Sequence, residues 1–175
     1  MSFKERFKEN KKLFILRILF TTITLLWMGL IFFFSSQDGS ASGNTSSGFV
    51  DIAIKIFHPD FSSLDPSKQE SILNIWSLVI RKAAHFTIFG ILGLLFFFTI
   101  FSYGVRRYIY IYSVLSTCLY ACTDELHQMF VSGRAGAITD VLIDTSGSIV
   151  FLLITFLIIR LVKRNQDKKR KINTI

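Results

Sequence analysis

The sequence is poor in several of the residues and spacings that mark familiar classes of protein. It has only two prolines and two cysteines in 175 residues. Cys118 and Cys122 lie four apart in one apolar run. Neighbouring turns of one helix seldom present bridgeable geometry, so the pair reads as small packing residues and not as a disulfide. Neither cysteine has a metal-type spacing, and no H-x-x-x-H or H-E-x-x-H run exists, so no residue is assigned as a metal ligand. No serine or cysteine stands in a recognisable nucleophile motif. No Gly/Ser linker separates two independent apolar units, so residues 1–175 are expected to form a single domain.

Apolar residues are abundant, at 51% of the chain with 19 phenylalanines. Several apolar runs approach the roughly 20-residue length that spans a bilayer. The expected fold is therefore all-α, a polytopic membrane protein with four transmembrane helices at about 13–34, 83–101, 108–130 and 138–162. The first run has basic residues before it, as a signal peptide does. Its apolar core is longer than a cleaved signal needs, and no compact A-x-A site closes it. It reads as an uncleaved first span. The runs FFF at 32–34 and 96–98 read as lipid-facing or packing aromatics, and Tyr108, Tyr110 and Tyr112 as part of an aromatic belt.

The net charge of +8 would suggest nucleic acid on a soluble face. Here the basic residues flank apolar runs, where membrane topology and anionic headgroups explain them, and no nucleic-acid partner is expected. With the N-terminus inside, the inner segments hold fifteen basic residues against three acids, Glu5, Glu9 and Asp167. The outer side keeps five basic residues and nine acids. Both termini are thus expected on the cytoplasmic side, and residues 163–175 read as a basic tail held against anionic lipid.

Residues 35–80 are expected outside. They start with a Ser/Gly-rich stretch, SSQDGSASGNTSSG, that reads as a flexible loop. His58 beside Pro59 reads as a loop residue. Asp65-Pro66 is a helix start, followed by the stripe Ile72, Ile75, Trp76, Val79 and Ile80, which predicts a short amphipathic helix at the membrane surface.

With this sidedness the titratable groups gather at one end. Ser35, Ser36 and Gln37 close the first helix, and Arg81, Lys82 and His85 open the second. Asp124, Glu125, His127 and Gln128 close the third, Arg134 lies in the loop, and Asp140 and Asp144 open the fourth. The pairs Arg81/His85, Asp124/Gln128 and Asp140/Asp144 are each four apart and share a helix face. Ionisable groups at the edge of hydrocarbon are costly and point to a site.

The expected ligand-binding set is Gln37, Arg81, Lys82, His85, Asp124, Glu125, Gln128, Arg134, Asp140 and Asp144. Arg81, Lys82 and Arg134 suit a phosphate. The carboxylates would orient those cations, or hold a bridging divalent ion, and no cofactor is assigned. His85, Asp124, Glu125 and His127 are candidate acid–base groups for a membrane-embedded hydrolase or transferase acting on lipid-linked phosphate or sugar. The same charges could also neutralise one another in a structural network, or serve a scaffold or transporter subunit.

The pieces FSSQ (34–37), RKAAHFTIFGILG (81–93), TDELHQMFVSGR (123–134) and TDVLIDTSGSIV (139–150) resemble, in order and separation, the VanZ-like family of small bacterial membrane proteins. By this resemblance Gln37, Lys82, His85, Asp124, Glu125, Gln128, Phe130, Arg134, Asp140 and Gly147 occupy the family's characteristic positions. Ser132 stands where the family often has Pro, and Asp144 where it often has Asn. Residues 38–70 have no clear counterpart. The resemblance implies a multi-pass cell-envelope protein of the cytoplasmic membrane, associated with reduced susceptibility to teicoplanin-type lipoglycopeptides. The expected partners are the bilayer and an anionic lipid or envelope-precursor headgroup.

Overall fold

The computed structural model describes residues 3–37, 39–132 and 136–172, with side chains described over 11–37, 47–132 and 136–170. The fold is all-α. Among the described residues five helices follow in order: α1 (Phe3–Ser35), α2 (Gly39–Phe57), α3 (Pro66–Ser102), α4 (Ile109–Gln128) and α5 (Ile138–Ile172), with a 3-10 turn at Phe61–Ser63 between α2 and α3.

Among the described residues, three stretches are long and apolar enough to cross a membrane: Lys11–Ser35, Pro66–Ser102 and Ile138–Arg170. The 20-residue α4, which mixes Ser, Thr, Tyr and acids with its apolar residues, is not among them.

Two predicted boundaries differ from the observed ones in the same way. The amphipathic segment after Pro66 and the apolar run after Ala83 are one continuous helix of 37 residues, about 55 Å long. Arg81 and Lys82 mark a change of polarity, but charge does not break a helix, and no proline or turn intervenes. The basic tail likewise continues α5 to Ile172.

The Ser/Gly-rich stretch predicted as a loop is instead helical from Gly39. The later half of α2 buries Val50, Ala53 and Ile54, an i, i+3, i+4 face, and α2 packs on α3. Phe57 stacks on Trp76 with ring centroids 5.0 Å apart. Once packing fixes that half, extending the helix through serines and glycines costs only about 1 kcal/mol per glycine. His58 also meets Trp76, edge to face at 6.4 Å. Of the stripe along the start of α3, Ile72, Trp76 and Ile80 are partly covered, while Ile75 and Val79 stay exposed.

Helix α3 is the centre of the bundle and packs against each of the other four. Ile31, Phe89, Leu92 and Ala121 bury the core between α1, α3 and α4. Phe97, Ile109 and Leu152 close a second cluster towards the other end. Hydrogen bonds across helices fix the register. Trp27 Nε1 donates to the Ile88 carbonyl at 3.0 Å and the Tyr120 hydroxyl to the Met28 carbonyl at 2.6 Å. Arg17 Nε donates to the Ser102 carbonyl at 3.1 Å. These contacts make α1 antiparallel to α3 and parallel to α4. Both cysteines are free, with Cys118 half-buried and Cys122 exposed, so only Cys118 is placed to pack.

The broadest interface is between the parallel helices α3 and α5. Glycines allow it. A methyl group at Gly147 would run into the Phe86 carbonyl, and one at Gly93 would run into Ser148. A backbone carbonyl within a helix cannot move aside, so Gly147→Ala is expected to push α5 off α3 and to cost about 1–3 kcal/mol. Thermal unfolding of the detergent-purified protein checks this. An unchanged midpoint would show that the close approach is not required.

Candidate functional site

The end of α1, the middle of α3, the end of α4 and the start of α5 come together at one end of the bundle. Their polar side chains sit in two layers there. In the outer layer Lys82 of α3 forms an ion pair with Asp140 Oδ1 of α5, and both are partly exposed. Arg81 is exposed. Ser36 Oγ lies 3.2 Å from His127 Nε2, and the His127 ring stacks on Phe32 at 4.3 Å.

The inner layer is almost closed to the surface. Asp124, Glu125, Gln128 and Asp144 are 3%, 5%, 6% and 0% exposed. Asp124 Oδ2 accepts two hydrogen bonds of 2.9 Å, from the Ser35 hydroxyl of α1 and from Gln128 Nε2, one turn along α4. Glu125 Oε2 accepts the Ala137 N–H at 3.0 Å, where α5 begins. A carboxylate at that helix start is favoured by the axial dipole. The Ala137 carbonyl in turn accepts from the N–H groups of Asp140 and Val141. His85 Nδ1 of α3 faces Asp144 Oδ1 of α5 at 3.6 Å, and its ring lies over Phe89.

Several oxygens in and next to this layer lack a hydrogen bond, although Asp144 Oδ1 does face His85 Nδ1. Among the described residues, Asp124 Oδ1, Glu125 Oε1, both oxygens of Asp144, Thr145 Oγ1 and Ser148 Oγ are buried without a hydrogen bond. Buried carboxylate oxygens of this kind are costly unless a cation or donor meets them.

Lys82, His85, Asp124, Glu125, Gln128, Asp140 and Asp144 are thus brought together. Gln37 follows the end of α1, where its N–H donates to the Phe34 carbonyl, and its side chain makes no hydrogen bond among the described residues. Arg81 stays at the rim without an ion pair among the described residues, and Phe130 is 88% exposed. Arg134 lies outside the described residues.

The structure adds Ser35 to the set, and one turn beyond Asp144 it buries Ser148 of α5 against Gly93 of α3. Ser148 follows Asp144 by four residues, so the spacing that joins Asp140 to Asp144, carried one step further, finds it. No spacing separates Ser35 from Ser36. Only the phase of α1 against α4 decides which hydroxyl reaches Asp124.

The packed inner layer offers acceptors to a small cation, and the rim offers cations to an anion. Comparison with known proteins adds the lineage. A search of curated proteins and a search of solved structures each returned no match. The sequence model of the VanZ/LLP1 family matches residues 20–160, a span that holds every contact of both layers. The chain belongs to the VanZ/LLP1 family.

Proposed function

We propose that this chain is a multi-pass protein of a bacterial cytoplasmic membrane that binds an anionic lipid or envelope-precursor headgroup at its outer end. In this reading α4 crosses the membrane together with the three longer apolar stretches, and both termini are cytoplasmic. The alternation of direction supports it, since α1 and α4 run one way and α3 and α5 the other. The charges support it too. Arg106, Arg107, Arg160, Lys163 and Arg164 cluster away from the acidic end, as the preference for basic residues inside requires. The start of α3, with Ile75, Leu78 and Val79 exposed, suits a segment resting on the membrane surface beside the site.

The observation that carries the binding reading is the arrangement of the rim. Lys82 is held by Asp140 yet remains a third exposed, and Arg81 beside it is exposed. A phosphate arriving at headgroup level would meet both cations, and Arg134, by its place in the sequence between α4 and α5, is the third phosphate partner of this reading. Asp140 holds Lys82 in place, and the buried carboxylates behind set the polarity. A lipid-tailed glycopeptide would approach the same surface, which is the physical form in which a link to teicoplanin-type resistance fits.

A single charge-assisted hydrogen bond contributes about 1.5–3 kcal/mol, or roughly tenfold or more in affinity. The double variant Arg81→Ala with Lys82→Ala is therefore expected to lose at least tenfold of the anionic lipid that co-purifies, read by native mass spectrometry. Arg134→Ala is expected to lose it similarly. Retention equal to wild type in all of these would overturn the reading.

The contact between Ser36 and His127 favours a second reading, a hydrolase or transferase acting on lipid-linked phosphate or sugar, with His127 as the acid–base group. Purified protein assayed on lipid phosphates should then turn over, and His127→Ala should abolish turnover in folded protein. Absence of turnover in the wild-type protein would remove this reading and leave binding.

A further inference from the structure

His85 from α3, Asp124 from α4 and Asp144 from α5 meet one turn deeper than the Lys82–Asp140 pair. Each offers one donor atom, and the three donors lie within 4.8 Å of one another. Bonds of about 2.0–2.2 Å around a tetrahedral ion set donor separations of roughly 3.3–3.6 Å. The His85 Nδ1 to Asp144 Oδ1 separation of 3.6 Å already fits, and the remaining edges need about an ångström of side-chain closure.

The hydrogen bonding around Asp124 also favours an ion. Its Oδ2 is held by Ser35 and Gln128, which fixes the carboxylate plane. Its Oδ1 has no hydrogen bond among the described residues, and of the Asp144 oxygens Oδ1 faces only His85 Nδ1 at 3.6 Å while Oδ2 has no hydrogen bond. An anchored, buried carboxylate with its second oxygen open is what an oriented metal ligand looks like. Lys82, the nearest amine along α3, is already engaged by Asp140.

We propose that His85, Asp124 and Asp144 form a binding site for a divalent first-row metal ion, zinc or manganese, which ties α3, α4 and α5 together. An imidazole with two carboxylates suits those ions better than magnesium or calcium, which take oxygen ligands alone, and no thiolate is present to select copper(I). The ion would supply the positive charge that the inner carboxylates lack. This inference goes beyond the headgroup reading and does not depend on it, because Arg81 and Lys82 stay at the rim.

The test uses full-length protein purified in detergent, stripped with chelator and titrated with zinc, manganese and cobalt. Metal content is read by mass spectrometry and cobalt ligation by its visible absorption. About one ion per chain is expected, with a higher unfolding midpoint in its presence. His85→Gln, Asp124→Asn and Asp144→Asn should each weaken binding roughly a hundredfold, and Gln128→Ala, which only orients Asp124, about tenfold. Asp60→Asn, at an exposed position in the turn between α2 and α3, should leave the stoichiometry unchanged. Wild-type protein that takes up none of the three ions overturns the proposal, even where the variants fail to fold. So does wild-type affinity in folded Asp144→Asn and Asp124→Asn. Lipid retention in the same samples reports separately on the rim.

Discussion

A carboxylate enclosed between apolar helices must be met by a donor or a cation, and that requirement shapes this chain. Asp124 and Glu125 come from α4, and Asp144 comes from α5. The groups that meet them come largely from elsewhere: Ser35 from α1, the Ala137 N–H from the start of α5, and His85 from α3. Each contact ties two helices, and together they join four helices at one end. In lipid there is little hydrophobic gain in pressing helices together, so packing of small residues and hydrogen bonds across helices carry more of the task. Gly93 and Gly147 bring α3 and α5 close enough for His85 to reach Asp144. Thr24 and Thr99 hydroxyls, 2.8 Å apart between α1 and α3, serve the same end deeper in the bundle.

The three long apolar helices were legible in the sequence by length and composition, whereas α4, expected as a fourth span, is not apolar enough to stand among them. The i, i+4 pairs on α4 and α5 also reported their shared faces correctly, since Asp124 does bond Gln128, and Asp140 and Asp144 both turn towards α3. What stayed hidden depends on tertiary contact. The start of α2 has the composition of a loop, yet a docked apolar face downstream carries the helix through it. The charged pair at 81–82 looked like a boundary between two helices, although nothing there stops one. The meeting of His85 with Asp124 and Asp144 has no local spacing at all, because its members lie on three helices.

The two polar layers divide the chemistry by depth. The rim presents cations to the outside, and the inner layer presents open carboxylate oxygens to the interior. An anion and a cation could therefore be held in series along α3, one turn apart. Such an arrangement would make the rim's electrostatics respond to the ion behind it, since Asp140, which holds Lys82, stands one turn from Asp144 on the same face of α5. In this chain the end of α1, the middle of α3, the end of α4 and the start of α5 define a polar mouth, and the glycines bring α3 and α5 close together there.

The central claim of the proposed function is that the end of α1, the middle of α3, the end of α4 and the start of α5 share one side of the membrane. Single cysteines at Ser36→Cys, Arg81→Cys, Phe130→Cys and Ile138→Cys, in a background lacking Cys118 and Cys122, test it most directly with a membrane-impermeant maleimide on right-side-out vesicles. All four are expected to react from outside, and Asn165→Cys only after permeabilisation. Reaction of any of the four solely from the inner face would contradict the account.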